Sequence, residues 1–378
     1  MENDFVYLDF NATTPVDPRV IDEMSPYFNN FYANSGSSHL FGIAINESVE
    51  NARKQIADLI TANIKEIIYT SGATEAVNLA LKGFDETNKK HIITVKTEHK
   101  AVLDTCSFLE NRGFNMSYLD VDREGHIDLD ELRNELNEKT LMVCVMYVNN
   151  ETGIIHPIKE IADITRQNGS LFFCDATQAI GKIPIAVKEL DIDLMAFSAH
   201  KFYGPKGIGA LYISSRLKKE LNSQIQGGGQ QFNLRSGTLN VPGIIAMGKA
   251  AEIAMLEMQE NRIHIAKLRD ELENALLEIP EVYINGDKNN RIFNTTNICF
   301  KGVNSEQMIL SLGTVCVSSG SACNATTSKP SHVLKAMGIN DSDALSSIRF
   351  SLGKFNTRSD IEIAVEKIKK IVAKLREV

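Results

Sequence analysis

No apolar run in this chain of 378 residues approaches the roughly 18 residues that a membrane-spanning helix needs, so a membrane protein is excluded. The opening Met1-Glu2-Asn3-Asp4 lacks the basic and apolar regions of a secretory signal. A basic block is missing too. With 40 basic against 48 acidic residues the net charge is −8, a poor basis for direct contact with nucleic acid or an anionic membrane. The six cysteines form no Cys-x-x-Cys pair, and no histidine stands at metal-ligand spacing. That argues against a structural metal and against a secreted disulfide framework, and points to a reducing cytoplasm. Proline is sparse, at 9 residues, while 43% of the chain is hydrophobic: the profile of a globular enzyme-sized protein with a large core and room for two domains.

Four of the thiols, Cys144, Cys174, Cys299 and Cys316, sit in apolar, strand-like runs and read as small core residues. Cys106 lies in a helical pattern and is predicted to be half-buried. Cys323 differs, because the surrounding SSGSACNATTSKPS is too small and polar to build a core. A thiol on such a segment is either incidental or a nucleophile open to partners, and the composition alone leaves both readings standing.

Short apolar runs alternate with helical patterns, and each run ends on polar residues. Ile67–Tyr69 ends in Thr70-Ser71-Gly72, Ile92–Val95 in Lys96-Thr97-Glu98-His99, and Leu141–Val148 in Asn149-Asn150-Glu151. Leu171–Cys174 ends in Asp175, and Leu194–Phe197 in Ser198-Ala199-His200-Lys201. Fully apolar short strands between helices predict an α/β protein with a mostly parallel sheet covered on both faces. Ligands of such sheets bind beyond the carboxyl ends of the strands, where these five runs deliver their polar groups. A long helix is predicted from Ile244 to Ile279. A smaller α/β unit then follows, with strands at Thr296–Phe300, Thr314–Val317 and Ser347–Ser351 and a closing helix over Ser359–Glu377. Gly227-Gly228-Gly229 with Gln230-Gln231 reads as a mobile loop.

The pattern Ser198-Ala199-His200-Lys201 carries the chemistry. A lysine ending a buried strand costs free energy unless it is neutral, paired or covalently bonded, and a desolvated amine is what a Schiff base requires. Asp175, ending another strand, supplies the acid that keeps a pyridine nitrogen protonated. Ser71-Gly72-Ala73-Thr74 enters a helix and offers a phosphate cup, which Ser198 and His200 complete. His99 is placed to stack on a ring and Gln178 to bond a ring oxygen. Taken singly, Thr74 or Gln178 is better explained as a strand-end cap; Lys201 and Asp175 together favour function.

The strings LDFNATTPVDPRV, SGATEAVNLALKG, KTEHKAVLDTC, VNNETG, DATQAIGK, SAHKFYGPKGIGALY, RSGTLNVPG, SSGSACN, KPSHVLKAMG and SSIRFSLG resemble, in order, those of the NifS/IscS-like cysteine desulfurases. These belong to the class V aminotransferase branch of fold-type-I pyridoxal-phosphate enzymes. The resemblance implies a homodimer with a large cofactor domain, residues 16–250, built on a mostly parallel seven-stranded sheet. It implies a smaller α/β domain of residues 1–15 and 251–378 that carries the catalytic cysteine loop, 318–331, whose small polar residues suit a mobile carrier. Pyridoxal 5′-phosphate is the implied cofactor, L-cysteine the substrate and L-alanine the product. The sulfur is left as a persulfide on Cys323 for an acceptor protein: an iron–sulfur scaffold, or an enzyme of tRNA or DNA sulfur modification such as phosphorothioation.

By position, Lys201 resembles the Schiff-base lysine, Asp175 the pyridinium partner, His99 the ring-stacking acid/base and Cys323 the nucleophile. Ala73, Thr74, Asn150, Gln178, Ser198 and His200 match cofactor-contacting positions, and Thr238 one that reaches the other subunit's phosphate. Asn34, Asn150 and Arg349 match the substrate side, where a planar guanidinium suits an α-carboxylate. The chain departs from the family in having Asn34-Ser35 for Asn-Pro, and Ala199 where relatives usually carry Gly. A selenocysteine lyase or another class V enzyme, the alternative reading, shares Lys201 and Asp175 without requiring Cys323. The chain stops at Arg376-Glu377-Val378, short of the tail with which many housekeeping members engage a scaffold, which tilts the expectation toward a dedicated acceptor.

Overall fold

In the apolar runs, successive side chains alternate between two separate cores. Ile67 and Tyr69 pack into one and Ile68 into the other; Ile93 and Val95 oppose Ile92, and Phe172 and Cys174 oppose Phe173. A strand alternates with period 2, so apolar residues on both faces require cover on both faces. The computed structural model, which describes residues 5–84, 87–319 and 329–377, provides that cover with helices.

The first strand, β1 (Val6–Tyr7), lies apart from this sheet. The sheet itself comprises β2 (Ile67–Thr70), β3 (His91–Val95), β4 (Asn115–Leu119), β5 (Thr140–Cys144), β6 (Leu171–Asp175), β7 (Leu194–Ser198) and β8 (Gly209–Ile213). The seven are ordered β2-β8-β7-β6-β5-β3-β4. β8 runs antiparallel to both its neighbours, and the remaining pairs are parallel. The carboxyl ends of β2, β3, β5, β6 and β7 therefore share one edge. β8 brings its start to the same edge, where a Cβ on Gly209 would lie 2.5 Å from the Phe197 carbonyl oxygen and 2.6 Å from the Gly72 Cα.

The run Leu141–Val148 leaves the regular ladder at Cys144 but keeps bonding to its neighbour: the Val145 N–H donates to the Phe173 oxygen (3.1 Å) and the Tyr147 N–H to the Asp175 oxygen (2.9 Å). Asn149 then builds the turn. Its Oδ1 accepts from the N–H groups of Glu151 (2.9 Å) and Thr152 (3.0 Å), a local pattern that short polar side chains such as asparagine favour.

A helix of 37 residues, Val241–Leu277, runs on from the large sheet, about 55 Å at 1.5 Å per residue. Beyond it lie β9 (Val282–Ile284), β10 (Thr295–Phe300), β11 (Val315–Cys316) and β12 (Ser347–Ser351). β12, β10 and β9 form an antiparallel sheet in that order, while β11 pairs in parallel with β1 at the other end of the chain. The closing helix Arg358–Arg376 starts at Thr357, whose side chain caps the Asp360 N–H while Asp360 caps it in return. No helix among the described residues is long and apolar enough to cross a membrane.

Three expectations need correction. Cys106 is wholly buried, and burial pushes its thiol up to about 12. Cys316 is half-buried, because its two-residue strand lies at the margin of the core. The segment ending in Gln231 is pinned: Gln231 is buried, and its side-chain oxygen accepts from Arg53 Nη1 and from the Tyr69 N–H, both at 3.0 Å.

Candidate active site

The polar groups at the sheet edge converge on a cavity of about 410 Å³, lined by Ala73, Thr74, His99, Asn150, Asp175, Gln178, Ser198, His200, Lys201 and Arg349, with Asn11 and Ser318. Lys201 closes the short turn Ala199–Lys201 after β7. Its amine meets no carboxylate within ion-pair distance among the described residues. It donates instead to two backbone oxygens, Asn11 at 2.6 Å and Ala12 at 2.8 Å. Burial, and next the Arg349 cation, lower its pKa to about 8; Asp175 and Asp9 oppose them.

Asp175, the last residue of β6, is buried, and its Oδ1 accepts from the Thr177 N–H at 2.9 Å. His99 caps the helix Lys100–Glu110: its Nδ1 accepts from the Ala101 N–H at 3.1 Å. With Nδ1 committed as an acceptor, the neutral ring carries its proton on Nε2. The residue is exposed toward the open cavity, but the groups packed around the ring desolvate it and lower its pKa; Asp175 raises it, and Lys201 and His332 lower it further. Next to it Glu98 is enclosed, its carboxyl held well above the usual range first by burial and then by Asp175.

The helix Ala73–Lys82 begins without a side-chain cap, and the Ala73 N–H donates to Ser198 Oγ at 2.6 Å. His200 Nδ1 pairs with Thr13 Oγ1 at 3.1 Å; burial, then Lys201 and Lys206, lower its pKa to about 4. Arg349 reaches in from β12, donating through Nη2 to Asp9 Oδ1 (2.6 Å) and through Nη1 to the Asn150 oxygen (3.0 Å). Its Nε has no hydrogen-bond partner among the described residues.

Two of the sequence candidates are not brought to this cavity. Asn34 and Thr238, both exposed, line a second cavity of about 230 Å³ together with Arg53, Gln231 and Phe232. Cys323 lies outside the described residues. Asn11, in contrast, was missed. It stands in the string LDFNATTPVDPRV, but nothing local marks it; its partners Gln178 and Lys201 are 167 and 190 residues away.

The aminotransferase class-V family matches residues 6–363. The chain is 47% identical over 377 residues to the cysteine desulfurase IscS of Anaeromyxobacter dehalogenans (strain 2CP-C), covering 98% of this chain and 93% of that one. It is 48% identical over 378 residues to the cysteine desulfurase IscS of Pectobacterium carotovorum subsp. carotovorum (strain PC1), covering 98% and 94%. Among solved structures, a NifS-like protein superposes with a TM-score of 0.92 at 38% identity, covering 98% of this chain and 100% of that one. SspA, solved in complex with cysteine, follows at 0.83 and 34%, covering 93% and 99%. An uncapped helix, a lysine and an aspartate at the carboxyl edge of a mostly parallel sheet thus stand in a chain that belongs to the aminotransferase class-V family. Within that family its relatives place it among the cysteine desulfurases.

Proposed function

We propose that this chain takes sulfur from L-cysteine with pyridoxal 5′-phosphate bound in the Lys201 cavity, releases L-alanine and keeps the sulfur on Cys323 for an acceptor protein. The observation that carries the reading is the convergence on one cavity of an amine with pKa lowered to about 8, a buried carboxylate and an uncapped helix N-terminus.

The residues present fit the cofactor. The first-turn N–H groups beyond Ala73, the Thr74 hydroxyl, Ser198 and His200 make a cup for a phosphate. Asp175 suits a protonated ring nitrogen, Gln178 a ring oxygen, and His99 a ring face. When bound, pyridoxal phosphate supplies an aldehyde for condensation with amines and an electron-withdrawing ring.

The chain's own groups divide the remaining work. Lys201 Nζ, partly neutral near pH 7 to 8, would hold the cofactor through its amine and, when free, would move the substrate's α-proton. Among the described residues Arg349 spends two of its N–H groups, so others remain for the substrate's α-carboxylate. His99 presents an Nε2–H and so serves as a proton donor. The Cys323 thiolate attacks the substrate sulfur: a sulfur–sulfur bond forms, the carbon–sulfur bond breaks, and the electron pair left on carbon is protonated to give alanine.

Homodimerisation is part of this reading. Phe28, Tyr32 and Leu40 are exposed by 66%, 71% and 85%, which is costly for a lone chain. Asn34 and Thr238, which share a cavity in the same chain, serve a partner's site in a dimer. Residues 16–250 form the cofactor domain, with 1–15 and 251–378 as the smaller one, and free thiols suit a cytoplasmic setting.

Incubation with L-cysteine and a thiol reductant should yield alanine and sulfide in equal amounts. Cys323→Ser should stop both while leaving the melting temperature unchanged; near-normal alanine release from that variant would overturn the persulfide route.

A further inference from the structure

Behind Lys201 lies a second amine that the reaction above does not use. Lys182 does not line the large cavity. It lines a separate one of about 20 Å³, room for little more than a water, whose wall Lys201 shares. The residue is half-buried but its amine is enclosed. It reaches Gln178 Oε1 at 2.8 Å and Asn11 Oδ1 at 3.4 Å, with no carboxylate partner among the described residues. A buried amine held only by neutral oxygens is expensive. Burial, then Lys201 and Arg349, accordingly pull its pKa down to about 7.

What that amine achieves is visible in Gln178. A carboxamide has a donor end and an acceptor end of nearly the same shape, and only its partners decide which way it faces. Here the oxygen is held by Lys182, and Nε2 donates one hydrogen to the Asn11 carbonyl at 3.0 Å. Gln178 lines the large cavity, so the second hydrogen of Nε2 is left for whatever occupies it. The Asn11 carbonyl, with two lone pairs, also accepts from the Lys201 amine at 2.6 Å, so it holds the Nε2 end of the amide while Lys182 holds the oxygen end.

We propose that Lys182 is a positioning residue for Gln178: it holds the amide oxygen from behind so that an N–H faces the ring oxygen of the bound cofactor. The proposal rests on the cofactor reading above, and it makes Lys182 matter only for ligands that carry that oxygen.

Pyridoxamine 5′-phosphate, which forms no covalent bond to Lys201, and its 3-deoxy analogue separate the cases by equilibrium binding to the cofactor-free full chain. Lys182→Met should weaken pyridoxamine phosphate about tenfold, the loss of roughly one hydrogen bond, and leave the 3-deoxy analogue unchanged. In a Gln178→Leu background Lys182→Met should change neither, since the two residues act as a unit. Lys182→Gln, which keeps an N–H donor, should restore part of the preference for the hydroxylated ligand. Should Lys182→Met not fold, as judged by its melting curve, Lys182→Ala carries the same comparison. Equal weakening of both ligands, or a loss that persists without Gln178, would show that Lys182 acts through charge or packing and would overturn the proposal. Failure of the unsubstituted chain to bind either ligand would instead overturn the cofactor reading, and this one with it.

Discussion

Two regions of this molecule bury charge, and they treat it in opposite ways. Where the long helix meets β10, Arg291 and Glu273 close on each other through two contacts of 2.7 Å, and Thr296 adds its hydroxyl at 2.6 Å. Burial there opposes ionisation of Glu273, but Arg291 and Thr296 outweigh it and hold the carboxyl below its usual range. At the sheet edge the polar groups are left unfinished: among the described residues Lys201 holds only backbone carbonyls, while Arg349 Nε, Thr177 Oγ1 and Glu98 Oε2 have no partner. A closed network ties elements together. An open one of the same burial costs stability and is retained where a ligand will complete it.

The sharpest way to break this contrast is Lys201→Ala. Turnover of cysteine should fall by about a thousandfold or more, while the melting free energy of the cofactor-free chain changes by no more than about 1 kcal/mol. A large loss of stability would place Lys201 with the structural pairs. Arg291→Leu should do the reverse, costing about 3 kcal/mol in urea unfolding by stranding Glu273, with cofactor affinity nearly unchanged.

A subtler effect follows from the charges around Lys201. Its neutral fraction grows as pH rises through about 8, so uptake of pyridoxal phosphate by the cofactor-free chain should rise with pH and level off above that value. Arg349 is one of the causes of the lowering, so Arg349→Met should move the midpoint upward; a midpoint that stays put would assign the lowering to burial alone. The smallest effect concerns Cys106. Wholly buried and poorly acidic, it should resist a thiol reagent in the folded chain and react only on unfolding.

The contrast also explains what could be read in advance. The five apolar runs predicted β2, β3, β5, β6 and β7 to within a few residues, because strands buried on both faces leave a continuous apolar signature. β4 left none: it is an edge strand with Asn115 exposed and Met116 to Tyr118 half-buried. β8 is equally buried, but it begins at Gly209 and joins from the opposite direction, which no local pattern encodes. The candidates at strand ends came together in one cavity. Asn34 and Thr238 did not: they line a second cavity of the same chain, and no local pattern in the sequence says which cavity a loop residue will face.

The sequence by itself settled the alternation of strand and helix, the polar ending of each strand and the presence of Lys201 and Asp175, because each is written within a few neighbouring residues. Tertiary structure alone decided that Asn11 would hold both Lys201 and Gln178, that Lys182 would stand behind them, and that the Lys201 amine would lose its proton near pH 8. Desolvation and hydrogen-bond partners depend on groups up to 190 residues apart in the chain, and only the folded packing brings those groups within reach.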